Sequence, residues 1–159
     1  SQEVRQNLNQ YEPNKAPKAL TLIATEIEKL HSQTLAAMVK LHGWPKQQQV
    51  GKQGVKAAFI LVQNSSNLTF QQNMLPLVIQ SYLDQDGLTG QDVAELTDNV
   101  YLKQGKAQVF GTQADWINGQ VVFLPIEDEQ SVDQLRAQMG LASLDEYRKT
   151  LKDFYAPQR

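Results

Sequence analysis

A chain of 159 residues, 41% hydrophobic and 20% charged with a formal charge of −2, has the balance of a folded globular protein. The scattered lysines and arginines exclude a basic nucleic-acid face, and Ala57 to Gln63, the longest apolar run, is far short of a bilayer span. The absence of cysteine removes disulfides, thiolate metal sites and a cysteine nucleophile together.

Residues 1–17 are polar and interrupted by Pro13 and Pro17, and read as an N-terminal arm, extended or laid over the body as a short helix. The polar start Ser1-Gln2-Glu3-Val4, without methionine, slightly favours an exported or periplasmic chain over a cytoplasmic one. Residues 18–155 read as one helical domain. Leu20, Ile23, Ile27, Leu30, Thr34, Met38 and Leu41 recur at steps of three and four, which puts them on one stripe of a long helix. That stripe is expected to form a wall of the core. Gly43 stops the helix, and Trp44 before Pro45 reinforces the stop, because a residue preceding proline is pushed out of the α region.

Lys46 to Gln53 reads as a polar connection. Val55, Ala58, Phe59 and Val62 then mark a short helix that Ala57, Ile60 and Leu61 make apolar nearly all round. Asn64 to Asn67 breaks the pattern. Phe70, Met74, Leu77, Val78 and Tyr82 restart it, with Pro76 predicting a kink or a displaced start. Asp84 to Gly87 ends this helix. Thr89-Gly90-Gln91-Asp92 resembles a capping box, after which Val93, Leu96 and Val100 face inward.

Ala107–Gln113 and Gln120–Leu124 flank Asn118-Gly119, the dipeptide best suited to a tight hairpin turn. An isolated hairpin is marginal in water, so one face is expected to dock on the helices. After Pro125, Ser131 to Gln134 and Ser143 to Glu146 fit the capping-box pattern and predict two closing helices, separated by Gly140-Leu141. Leu144, Tyr147, Leu151 and Phe154 form the apolar side of the second. The fold class is mainly α: several helices with one docked β-hairpin at about 107–124. Glutamine is abundant, with 22 residues, but spread through the helices and without evident functional weight.

Six polar residues lie at ends of elements that can converge: Gln63, Asn64, Asp98, Asn99, Thr112 and Gln113. They would line one pocket, with Gly111 allowing close backbone approach. Equally, Gln63 and Gln113 can satisfy buried backbone groups where hairpin meets helices. Asp98 is the ionisable member, either a base or a cap on a backbone amide. Metal chemistry has little support: His31 and His42 are about three helical turns apart, and no spacing offers further ligands. No serine sits in a nucleophile elbow, and Gly51-Lys52-Gln53-Gly54 is not a phosphate loop, so no cofactor is implied. Glu127-Asp128-Glu129 reads as a solvated helix start. Trp44 reads as packed, and Trp116, near the hairpin tip, as an exposed contact residue.

The ordered set Gly43-Trp44-Pro45, Leu61 to Asn64, Phe70-Gln71, Leu96 to Val100, Gly105, Gln108, Phe110 to Gln113, Pro125 to Asp128, Val132-Asp133, Arg136, Gly140-Leu141 and Tyr147 resembles a bacterial family of unknown function. The likeness covers roughly residues 35 to 150. That family's pattern carries histidine, arginine and tyrosine where this chain has Asn64, Asn99 and Phe110. The resemblance therefore implies the family scaffold with a degenerate pocket, a pseudoenzyme. Two functions follow. One is a non-catalytic binding module, of the immunity or inhibitor kind, whose partner is a protein or a small molecule. The other is a small enzyme, of hydrolase type, using Asp98 with Gln63 and Gln113.

Overall fold

The structure is a computed structural model that describes residues 18–157, so the arm at 1–17 lies outside the described residues. Among the described residues, six helices and one two-stranded sheet follow in order: α1 (Lys18–His42), α2 (Gln47–Gln63), α3 (Leu68–Leu83), α4 (Gly90–Lys103), β1 (Ala114–Ile117), β2 (Gln120–Phe123), α5 (Val132–Gln138) and α6 (Leu144–Tyr155). The protein is mainly α with one antiparallel hairpin.

The core is made by α2, α3 and α4. Val55, Phe59 and Val62 pack with Phe70, Met74 and Val78 and with Val93, Leu96 and Val100; Leu35 and Trp44 close one side. Helix α4 is buried on most of its surface and is capped by reciprocal bonds: Asp92 N–H donates to Thr89 Oγ1 (3.2 Å) and Thr89 N–H to Asp92 Oδ2 (3.0 Å). Its first residue, Gly90, lies so close to the end of α5 that a Cβ there would sit 2.1 Å from the Met139 carbonyl oxygen. Helix α3 is capped by Asn67, which accepts from Phe70 N–H, and it continues through Pro76 rather than starting there.

Several expectations are corrected. The stripe on α1 does not face the core. Ile23, Ile27, Leu30, Met38 and Leu41 are all exposed, and α1 instead buries Ser32 and Leu35, with Ala36 and Val39 packed beside them. One apolar leucine and small neighbours suffice for a helix that leans on the body along only part of its length. Lys46 to Gln53 is not simply a connection, because α2 begins at Gln47 and its backbone leaves helical angles only at Gly51 (φ 75°, ψ 166°). Ile60 and Ala57 point outward, so α2 is buried on one face rather than all round.

The hairpin is shorter than expected. Its turn is as read, with Asn118 and Gly119 both at positive φ, and Trp116 pairs with Val121 across it. Residues 107–113, however, form no ladder with β2. They are a loop joined to residues 124–127 by a parallel bridge between Gln108 and Ile126 and by Leu124 N–H donating to the Gln113 carbonyl. Polar side chains from α4 and α5 capture the backbone that a strand would have paired. The hairpin docks on α6: Phe123 stacks on Tyr147 at 6.0 Å between ring centroids, and Arg148 Nη1 donates to the Val121 carbonyl at 2.7 Å. Trp116 is half-buried against Tyr155 rather than free, whereas Phe154 points into solvent. Ser143 caps α6 through Glu146 N–H, but the Ser131 side chain makes no cap bond to α5. The turn before α5 is held by Asp128, which accepts from Gln130 and Ser131 N–H.

Candidate functional site

The residues at the hairpin base are organised by Asp98, which is 0% exposed on the inner side of α4. Its Oδ1 accepts from Val109 N–H (2.8 Å) and Phe110 N–H (2.9 Å). Its Oδ2 accepts from Thr112 N–H (2.9 Å) and the Thr112 hydroxyl (2.8 Å). A carboxylate with four such donors is stable without water, because each donated bond replaces one lost on burial. Those same donors are the amides that keep loop 108–113 out of a sheet ladder.

Two further clamps act on the loop. The Gln108 amide, also fully buried, donates to the carbonyls of Gln113 and Leu124 (both 2.9 Å) and accepts from Gln113 N–H (2.9 Å). Arg136 reaches in from α5, donating through Nη1 to the Phe110 carbonyl (2.8 Å) and through Nε to the Ala142 carbonyl (2.6 Å). The Tyr147 hydroxyl donates to the Thr112 carbonyl at 2.7 Å, and the Arg136 guanidinium lies 4.8 Å from the Tyr147 ring centroid. Gly111, at φ +66°, has the left-handed conformation the loop requires; a Cβ there would lie 2.8 Å from Leu144 Cδ2.

Burial pulls the Arg136 pKa below its ordinary value, opposed by Tyr147, Asp133 and Asp98. Arginine stays charged across the working range even so. Burial also pushes the Tyr147 phenol up, reinforced by the negative charge of Glu95. Tyr147 is therefore a neutral donor at ordinary pH.

Outside these clamps lies a cleft of about 290 Å³, lined by Gln91, Glu95, Thr112, Arg136, Leu141 and Tyr147 among others. Glu95 is half-buried there. Its Oε2 accepts from Gln63 Nε2 (3.2 Å) and its Oε1 from Gln91 Nε2 (3.0 Å), so two neutral amides hold the carboxylate in place.

Of the six residues singled out in the sequence, four fall in two neighbouring sets and Asn64 and Asn99 in neither. Asp98, Thr112 and Gln113 form one hydrogen-bonded chain, in which Gln113 Nε2 donates to Thr112 Oγ1 at 3.0 Å and that hydroxyl donates to Asp98. Gln63 belongs with Glu95. Asn64 is the exposed residue after α2, and its backbone N–H donates to the Ile60 carbonyl. Asn99 is half-buried on α4, one turn beyond Glu95. Of the six, Thr112 alone lines the cleft among the described residues. Phe110, at the third position where the resemblance implies a polar residue, is half-buried and contributes its N–H and carbonyl to the clamps.

Sequence reasoning passed over Glu95, gave Gln108 and Arg136 a place only among the landmarks of the resemblance, and read Tyr147 as part of an apolar helix face. Helical spacing offered one usable signal, since Gln91 and Glu95 stand four apart on one face. Gln71 was equally silent: fully buried, it donates to the Val62 and Gln63 carbonyls and accepts from Lys103 Nζ (3.0 Å), satisfying the end of α2 that Asn64 leaves open. No group of three or more His, Asp or Glu side chains among the described residues is arranged to hold a metal ion. No helix among them is long and apolar enough to cross a membrane.

The sequence matches, over residues 1–158, the profile described as Family of unknown function (DUF6624). The chain belongs to that family. No curated protein and no solved structure matches it. For this DUF6624 member, any statement of function must come from the cleft itself.

Proposed function

We propose that the protein is a non-catalytic binding module whose ligand site is the cleft around Glu95, and that the ligand carries an amine and is about the size of an amino acid. The observation that carries this reading is the state of Glu95: a carboxylate oriented by Gln63 and Gln91 in a cleft whose other polar groups mostly accept. Tyr147 donates its only proton to Thr112, which leaves its oxygen as an acceptor. Nη1 and Nε of Arg136 are directed at backbone carbonyls, which leaves its Nη2 protons as the donor exception in the cleft. A cationic donor suits such a surface, because charge-assisted bonds to a fixed carboxylate are about twice as strong as neutral ones. A cleft of about 290 Å³ stands at the small end of ligand pockets, which bounds the ligand's size.

An enzymatic reading built on Asp98 with Gln63 and Gln113 has less support. Asp98 would have to release four short hydrogen bonds before accepting a proton, and Gln63 is turned toward Glu95 instead. The proposal is tested by isothermal titration with a panel of free amino acids and small alkylamines against the wild type and Glu95→Gln. Saturable binding that drops at least tenfold in Glu95→Gln supports it. Binding unaffected by that substitution, or the absence of binding across the panel, contradicts it.

A further inference from the structure

Helix α1 has two faces, and the described structure occupies one. Ser32, Leu35, Ala36 and Val39 meet the body, while Leu20, Ile23, Ile27, Leu30, Thr34, Ala37 and Leu41 run along another side at strict alternating steps of three and four. That is an unbroken heptad seam, the pattern by which one helix packs against another. From Lys18 to Ile27 the helix is exposed on every side apart from a half-buried Leu20. Beside its other half lies an apolar groove of about 480 Å³, bounded by Met38, Pro45, Val50, Ala57 and Leu61. Contiguous apolar surface of this kind marks an interaction site.

We propose that the seam is the interface of a symmetric dimer, in which α1 packs antiparallel on α1 of a second copy. This goes beyond the ligand cleft and does not depend on it. Antiparallel pairing sets Ile23 opposite Leu41 of the second copy, Ile27 opposite Ala37 and Leu30 opposite Thr34, so the large residues from Ile23 to Leu41 meet one another or small side chains, and Leu20 lies beyond the paired length. It also places the protruding N-terminal half of each α1 beside the groove of the other copy. The charges agree with that register. Glu26 and Lys40, both exposed, flank the seam one residue before Ile27 and Leu41, and the two-fold axis brings Glu26 of each copy to Lys40 of the other, giving two ion pairs.

Sedimentation velocity of the full chain across micromolar concentrations tests this, using wild type, Ile27→Glu, Glu26→Lys, Lys40→Glu and the double swap. The wild type is expected to pass from monomer to dimer, and Ile27→Glu to stay monomeric with an unchanged circular dichroism spectrum. Each single swap should weaken the dimer by about three- to tenfold, and the double swap should restore it. A wild type that is monomeric throughout overturns the proposal, as does a dimer indifferent to Ile27→Glu. A monomer that dimerises only after removal of residues 1–17 would give the seam to the chain's own arm, and overturns it too. Failure of the double swap to recover the dimer would rule out the antiparallel register.

Discussion

Helix α1 and loop 108–113 treat their conspicuous residues in opposite ways. On α1 the most regular apolar pattern in the chain lies outside, and the helix is held by a leucine and small side chains on another face. At the hairpin base the polar residues lie inside: Asp98, Gln108, Thr112 and Arg136 are all buried and all hydrogen-bonded to the loop or its neighbours. Apolar periodicity therefore does not identify the core, and clustered polar residues do not identify an active site. What decides each case is whether partners are present. A buried carboxylate with four donors is a structural part, whereas an apolar seam left exposed by the described residues is a surface for a partner to cover.

The contrast can be broken most severely at Asp98. Replacing it with alanine removes the acceptor for three amides and a hydroxyl, and chemical denaturation is expected to show a loss of about 3–4 kcal/mol. If Asp98→Ala is nearly neutral, the loop is not held as described. Within α1, Leu35→Ala should cost about 2–3 kcal/mol. At concentrations where the chain is monomeric, Ile27→Ala should change stability by less than about 0.5 kcal/mol. Equal losses at the two positions would erase the difference between the faces. Gly111→Ala, which adds both a strained backbone and a contact with Leu144, is expected to lower stability by about 1–3 kcal/mol in the same denaturation measurement.

At the hairpin base, Tyr147→Phe gives the smallest effect and one with a pH signature. Loss of the bond to the Thr112 carbonyl should cost about 1 kcal/mol at neutral pH. The folded-state pKa of Tyr147 is raised above the ordinary 10.0, so its contribution is fully present below pH 10.0 and is lost as pH rises through the folded value. Melting temperatures followed into alkali should therefore fall less steeply in Tyr147→Phe than in the wild type.

Much of the fold was legible. The helix starts at Thr89 and Ser143, the stop at Gly43 and the turn at Asn118-Gly119 all depend on local chemistry, which sequence states directly. The hairpin's first arm was misread because valine, phenylalanine and threonine at 109–112 favour a strand, and a side chain eleven residues upstream, Asp98, overrides that preference. The cleft was less legible still. Glu95 looks like any exposed helical glutamate until α2 delivers Gln63 to it, and Arg136 looks like a surface arginine on a short helix until the loop's carbonyls turn toward it. Contacts between distant segments carry that information, and no local pattern encodes them.

The most direct measurement of the central claim is amide chemical-shift mapping of the isotopically labelled protein titrated with the amine that binds most tightly. Binding at the cleft should move the signals of Gln91, Glu95, Leu141 and Tyr147 together and leave those along α1 in place. Signals that move mainly at Leu30, Met38 and Ala57, or around Asn64 and Asn99 with Glu95 unmoved, would contradict the assignment of the cleft as the binding site.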